Sequence, residues 1–283
     1  DLIMAILIAD SGSTKCEWCL LGNGKKKSRI TQGMSPYFLS AAEIELVIRR
    51  ELLPHLRSVV PEAVYFYGTG CKNPVNARKV LKVLRSVFDR SVEVFVSHDL
   101  FGAARALCQK NKGVACILGT GSNSCYFNGS KIVKNNPGIG YVLGDEGSGA
   151  YLGKEVVRHY LYNTFEKDLK QQFEERYRVS PAQILENVYQ KPLPNRYLAA
   201  FTMFLSENRG HYMIENIIED GLSDFFYHHL AGYKESFKHP VHFTGSVAFY
   251  FRDVVASLCK SYGMQLGMVL KGPMEGLIQY HKH

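Results

Sequence analysis

Two stretches of the chain are versions of one another. Sliding the sequence by 109 residues (121 − 12) lays Ile8-Ala9-Asp10-Ser11-Gly12-Ser13-Thr14-Lys15-Cys16 over Ile117-Leu118-Gly119-Thr120-Gly121-Ser122-Asn123-Ser124-Cys125. Ile, Gly, Ser and Cys coincide, and an aromatic residue follows in each copy, Trp18 and Phe127. Each copy reads as an apolar strand, a tight turn of small hydroxyl-bearing residues, and a second strand. A repeated strand–turn–strand unit implies two similar α/β lobes. The short charged turn Gln109-Lys110-Asn111-Lys112-Gly113 is the expected boundary, giving lobes over 1–112 and 113–272.

Strand and helix patterns alternate through the first hundred residues. Ile6 to Ala9, Lys15 to Leu21 and Ser28 to Gln32 read as neighbouring strands, and Lys25, Lys26 and Lys27 as the solvated tip of a Gly-Asn-Gly-Lys turn. Ser40-Ala41-Ala42-Glu43 is a capping box, followed by the stripe Ile44, Val47, Ile48, Leu52. Ala63 to Tyr67 is the next strand. A helix opening at Asn73-Pro74 carries Ala77, Val80, Leu81, Leu84 and Phe88 on one face, and Val92 to Val96 is a further strand. The alternation makes this an α/β chain. Past Gly147 the pattern is mainly helical, with stripes Leu152, Val156, Val157, Tyr160 and Ile214, Ile217, Ile218, Leu222, Phe225, Phe226. A strand, Val241 to Thr244, and a last helix from Pro273 follow.

Composition narrows the function classes. With 283 residues, 46% hydrophobic and 21% charged, the chain is an ordinary globular sequence. No apolar run reaches the length of a membrane span, and Leu2 to Ala9 is too short for a signal peptide's apolar region; Met4 is the expected natural start. The net charge of +8 (34 − 26) gathers into no nucleic-acid recognition element. The seven cysteines are odd in number and irregularly spaced, which points to reduced thiols in a cytosolic compartment. Cys16 and Cys19 form a C-x-x-C on a strand, where positions three apart face opposite sides and cannot close on one metal.

Both repeated turns follow a strand directly. Such turns aim backbone N–H groups and hydroxyls into one concavity, which suits phosphate oxygens. In the first, Asp10 adds a carboxylate able to hold Mg²⁺ and Lys15 a positive charge. The plainer reading is a pair of hairpins in which Gly12 and Gly121 supply positive φ. A third glycine turn, Thr244-Gly245-Ser246-Val247-Ala248, would let a flat aromatic group approach the backbone; equally, Ser246 could cap a helix. Asp99, between a strand and a helix, reads locally as an N-cap and in this company as a general base for phosphoryl transfer to a hydroxyl. The run Asn135 to Gly149 is too long and glycine-rich for a mere connector, and its Asp145 could accept hydrogen bonds from sugar hydroxyls.

These four motifs occur in the order seen in the acetate and sugar kinase, heat-shock ATPase and actin superfamily. Within it the chain resembles BadF/BadG-type ATPases, and most of all N-acetylglucosamine kinase-like proteins. The resemblance implies a duplicated ribonuclease-H-like α/β fold, with two lobes closing over Mg-ATP and a sugar in a central cleft. The last helix, 273–283, would pack on the first lobe. It implies that Gly12, Ser13, Thr14, Lys15, Gly119, Thr120, Gly121 and Ser122 hold phosphates, with Asp10 at Mg²⁺. Gly245 and Ser246 would face the adenosine. Asp99 would be the catalytic base, and Ser35, Asn123, Gly138 and Asp145 the sugar ligands. Ser35 stands where relatives often carry an asparagine. The expected activity is ATP-dependent phosphorylation of an amino sugar, in the cytoplasm, with no membrane or nucleic-acid partner and with a homodimer as a compatible assembly. Two other functions compete: an ATPase activating a radical dehydratase through a shared iron–sulfur cluster, and a nucleotide-binding regulatory or filament protein. The first needs a cysteine near the glycine-rich segment, and Tyr141 to Gly149 has none.

Overall fold

The computed structural model describes residues 5–22, 24–57 and 59–282. Met4, the expected start, and Asn23 of the expected turn lie outside the described residues. The chain divides into two compact units: Asp1–Lys110 together with Pro273–His283, and Asn111–Gly272.

The first unit is built on strands β1 (Ile6–Ser11), β2 (Lys15–Gly22), β3 (Lys25–Gln32), β4 (Ala63–Gly68) and β5 (Glu93–His98), in the order β3-β2-β1-β4-β5. The pairings β1–β2 and β2–β3 are antiparallel; β1–β4 and β4–β5 are parallel. Period-2 alternation gives each face its own core. Leu7, Ala9, Cys16, Trp18, Leu20, Val64 and Phe66 pack on one side, under α1 (Ala41–Val47), a π-helical turn (Ile48–Leu52), α2 (Leu53–Leu56) and α3 (Pro74–Val87). Ile8, Cys19, Leu21 and Tyr67 pack on the other, against α4 (Asp99–Cys108). Cys16 and Cys19 therefore do face opposite ways, and all seven cysteines are buried. The Ser40–Glu43 capping box forms, and Ile44, Val47, Ile48 and Leu52 are all buried. On α3, Val83 is buried and Leu81 only partly so. Lys25, Lys26 and Lys27 are not a turn: they pair with Gly22, Leu21 and Leu20 on an edge strand whose charges are exposed, the usual protection of an open sheet edge.

The second unit repeats the topology. Strands β6 (Lys112–Leu118), β7 (Ser122–Asn128), β8 (Ile132–Lys134), β9 (Val241–Thr244) and β10 (Leu266–Leu270) run β8-β7-β6-β9-β10, with two antiparallel and two parallel pairings. The hairpins correspond, but not residue for residue under the 109-residue slide. Ser11 pairs with Cys16 across residues 12–15, whereas Leu118 pairs with Ser122 across residues 119–121, a shorter connection. Between β8 and β9 come α5 (Gly140–Leu143), α6 (Gly149–Leu161), α7 (Lys167–Tyr177), α8 (Pro181–Tyr189), α9 (Pro194–Ala200), α10 (Thr202–Glu207) and α11 (Tyr212–Phe225). A π-helical turn, Phe226–Leu230, continues α11, and α12 (Ser246–Tyr250) and α13 (Arg252–Ser261) follow β9. Both stripes read from sequence on α6 and α11 are buried, in a core with Phe173, Phe201 and Phe204. No helix among the described residues is long and apolar enough to cross a membrane.

The last helix, α14 (Met274–His281), belongs to the first unit. Met274, Leu277 and Ile278 cover the apolar face of β1 and β2, and Gly276 lies so close to Ala106 of α4 that a side chain would strike its carbonyl. Arg105 sits among the rings of Tyr67, Phe95, Phe101 and Tyr280, with Cζ 4.4–5.9 Å from their centroids. Its Nη1 donates to Tyr67 Oη at 2.7 Å, which leaves the tyrosine proton for His281 Nε2 at 2.9 Å. Burial, reinforced by Arg105, pushes His281 down to about 4. The folded state thus refuses a proton that the unfolded chain accepts, so this contribution is complete above about pH 6.5 and is lost as pH falls toward 4. Urea unfolding of wild type and His281→Phe should diverge with pH: between pH 7 and 5 the wild type should lose about 1 kcal/mol relative to the variant, allowing for the partial exposure of His281.

Candidate active site

In the first unit the turn after β1 is open and polar. Gly12, Ser13, Thr14 and Lys15 are exposed, and the Gly12 N–H donates to Lys15 O at 2.9 Å. Gly12 does not need positive φ, contrary to the plain-hairpin reading. The glycine that matters is Gly33, where a Cβ would strike the Gly12 carbonyl and the Ser13 backbone. Next to it the Met34 N–H donates to Ser11 Oγ at 3.0 Å. Ser35 is buried and its Oγ has no partner among the described residues. Its carbonyl accepts the N–H groups of Phe38 and Leu39, so this loop is a closed turn braced by Lys79 Nζ on Pro36 O at 2.8 Å.

Asp10 closes β1 among like charges. Burial, then the carboxylates of Asp99 and Glu17, push it up to about 7 against the pull of Lys15. No donor among the described residues bonds its carboxylate. A half-buried carboxyl short of donors and next to another acid is what a hard cation would satisfy, so Asp10 fits a Mg²⁺ ligand, directly or through water. Asp99 is the first residue of α4, with His98 at the N-cap position rather than Asp99 itself. One oxygen, Oδ1, accepts the Leu100 N–H at 2.9 Å, and no donor among the described residues reaches the other.

In the second unit four distant segments meet at one three-residue connection. The Gly149 N–H at the start of α6 donates to Gly119 O at 2.7 Å, and the Ala150 N–H to Thr120 O at 3.1 Å. Asp145, held at φ 57 and bonded through its carbonyl to the Ser148 N–H, lays its carboxylate against Gly121. A Cβ on Gly121 would stand 3.1 Å from Asp145 Oδ2, so this glycine is there for space; like Gly12, it does not use positive φ. Burial raises the Asp145 carboxyl, while the Ser122 N–H bond lowers it; Glu146 raises it and His229 lowers it. Asn123 follows on β7, and Gly138 lies over it, 3.3 Å from Ser122 O and 3.7 Å from Asn123 Nδ2 by its would-be Cβ. From the far side Gly245, at φ 120, packs onto the Leu118 carbonyl, where no other residue fits. Gly245 takes the N-cap position of α12, and Ser246 is the exposed first residue of the helix, not its cap.

A cavity of about 310 Å³ opens at this connection. Gly119, Thr120, Gly149, Ser246, Val247, Tyr250 and Phe251 form one side. Arg196, Ala199, Ala200, Thr202, Met203 and Ser206 of α9 and α10 form the other. The sequence analysis missed this second wall; its only local signal is the small-residue pair Ala199-Ala200, and nothing in the sequence says what that pair faces. A second cavity, about 300 Å³ and lined by Leu7, Trp18, Leu20, Lys27, Arg29, Leu52, His55 and neighbours, touches none of these residues. Thus Gly119, Thr120 and Ser246 share the cavity wall, while Gly121, Ser122, Asn123, Gly138 and Asp145 cluster about the same turn. Gly12, Ser13, Thr14, Lys15, Asp10, Asp99 and Ser35 belong to the first unit.

No family model matches the sequence, and no curated protein does. Solved structures match well. A crystal structure from Porphyromonas gingivalis, of a protein provisionally named an N-acetylglucosamine kinase, aligns over 98% of this chain and 98% of its own, at 42% identity and a TM-score of 0.93. The chain belongs to this N-acetylglucosamine kinase-like family. At lower identity two further structures share the fold of the family. One is a provisionally named N-acetylglucosamine kinase from Chromobacterium violaceum (16% identity, 98% and 99% coverage, TM-score 0.73). The other is a ROK-family glucokinase from Streptomyces griseus, solved with glucose and AMPPNP (14% identity, 99% and 98% coverage, TM-score 0.57). The fold is the duplicated α/β architecture of actin-like ATPases and sugar kinases.

The glycines of this family member differ in what they tolerate. Gly245→Ala should lower stability by about 2–4 kcal/mol, through positive φ and the Leu118 carbonyl together, whereas Gly12→Ala should stay within about 0.5 kcal/mol. Urea midpoints of the two variants check the contrast.

Proposed function

We propose that the chain is an ATP-dependent kinase of the BadF/BadG type, moving the γ-phosphoryl group of ATP to a hydroxyl of an amino sugar, N-acetylglucosamine or a relative. The observation carrying this reading is the convergence of the Gly119–Ser122 turn, Asp145, Gly138 and Gly245 beside a cavity of nucleoside size. The 42% identity to a protein bearing that provisional name supports it.

Residues of the two repeated turns, with Lys15, bind the phosphates through N–H groups and hydroxyls. Ser246 and the α9–α10 wall accommodate the adenosine, where Gly245 keeps the backbone clear. Bound at Asp10, Mg²⁺ would neutralise phosphate charge and help orient the transferred group. Asn123, Gly138 and Asp145 hold the sugar; Ser35 contributes through its backbone turn more than through its buried hydroxyl. Asp99 has one oxygen fixed by the Leu100 N–H, which leaves the other to accept the proton of the attacking hydroxyl. Positioning and charge stabilisation account for the rest of the rate. The dehydratase-activator reading loses ground because every cysteine is buried, leaving no exposed thiol to hold a cluster.

The test is ADP release from Mg-ATP over a panel of N-acetylglucosamine, N-acetylmannosamine, glucosamine and glucose. Strong stimulation by an acetamido sugar is expected, and no stimulation by any sugar would overturn the kinase reading. Asp99→Asn should lower sugar-dependent turnover by about 10²–10⁴ while nucleotide affinity is retained, as read by calorimetry. Near-normal turnover would remove Asp99 from the role.

A further inference from the structure

The geometry points to Asn135 as a specificity-determining positioning residue: it turns the Asn123 side chain so that its NH₂ group, not its carbonyl oxygen, meets the ligand. This rests on the sugar-kinase reading of the site.

The orientation follows from groups that cannot change sign. Asn135 Nδ2 lies 2.7 Å from Ser124 O and 2.9 Å from Asn136 O. Main-chain carbonyls only accept, so this end of Asn135 is its NH₂ group. The same nitrogen is 3.0 Å from the Asn123 side chain, which must therefore offer oxygen. A second donor, the Ser124 N–H, reaches that oxygen at 2.9 Å. Turning the Asn123 amide over would set donor against donor twice. Its NH₂ group consequently faces away, and no acceptor among the described residues takes it. Gly138, with no side chain, leaves that nitrogen uncovered.

The pin is itself anchored. The Asn136 N–H donates to Tyr233 Oη at 2.6 Å, and Asn136 Nδ2 to His229 O at 2.7 Å. Tyr233 is buried and its hydroxyl bonds Ser124 as well, at 3.0 Å to Oγ. His229, buried on the π-helical turn, also holds Glu146 at 3.1 Å, next to Asp145. The turn thus presents a fixed donor at Asn123 and a fixed acceptor at Asp145. A ligand that fits offers an acceptor, a hydroxyl or acetamido oxygen, to the first and a hydroxyl or N–H donor to the second.

The experiment uses the full chain and sugar-dependent ADP release. Its substrates are N-acetylglucosamine and analogues in which each hydroxyl is replaced in turn by fluorine or hydrogen, or the acetamido group by a free amine. Wild type should show one position where an acceptor is required: fluorine tolerated over hydrogen, or acetamido over amine. In Asn135→Ala the Asn123 oxygen keeps only the Ser124 N–H and the amide turns more readily, so that discrimination should shrink about tenfold, chiefly through KM, while sugar-free ATP hydrolysis is unchanged. Asn123→Asp keeps the pinned oxygen and replaces the donor, so it should lose the preference and raise KM about tenfold or more; it carries the test if Asn135→Ala does not fold. A folded Asn135→Ala, or failing that Asn123→Asp, with unchanged discrimination overturns the inference alone. A wild type that no sugar stimulates overturns the kinase reading, and the inference with it.

Discussion

The second unit is organised by how little room there is around the connection between β6 and β7. Three residues, Gly119 to Gly121, join Leu118 to Ser122, and their two outward carbonyls are taken by the first N–H groups of α6. Those are donors that a helix start leaves unpaired, so the helix is oriented by the same bonds that satisfy the turn. Asp145 can then occupy the space over Gly121, and Gly245 the space behind Leu118. Each segment excludes larger neighbours from the others, which is why residues some 25 and 125 positions apart meet with so few side chains between them.

The first unit solves a different problem, that of concentrating negative charge. The carboxylates of Asp99 and Glu17 raise the proton affinity of Asp10, against the pull of Lys15. Like charges held together on a folded scaffold cost stability, and such clusters gather at functional sites more often than elsewhere. The acidic cluster beside one turn and the glycine-lined packing of the other give the two repeats different chemistry despite a common topology.

Local patterns carried much of the fold. The Ser40–Glu43 box, the Ile44 stripe and the Ile214–Phe226 stripe depend on residues within a few turns, and burial enforces them directly. The period-2 argument that separated Cys16 from Cys19 held for the same reason. What could not be read were facts set by distant partners. Lys25 to Lys27 look like a solvated tip, because nothing local shows that β2 offers them a pairing edge. Gly121 looks like a turn glycine until Asp145 is seen above it. The α9–α10 wall of the cavity carries no chemical signature at all, since small residues there serve only to leave space. Asn135 reads as one polar residue in a loop; its importance lies in which carbonyls surround it.

The return of α14 has a bearing on how the molecule is made. During synthesis from the amino end, β1 to β5 and α4 emerge first, yet Ile8, Cys19, Leu21 and Tyr67 lack their covering until Met274, Leu277 and Ile278 have been added. The intervening segment, Asn111 to Gly272, is continuous and can consolidate in the meantime. The earlier-translated half is accordingly the later one to be sealed, and a chain interrupted anywhere before the final helix leaves a greasy sheet face open to chaperones and proteases.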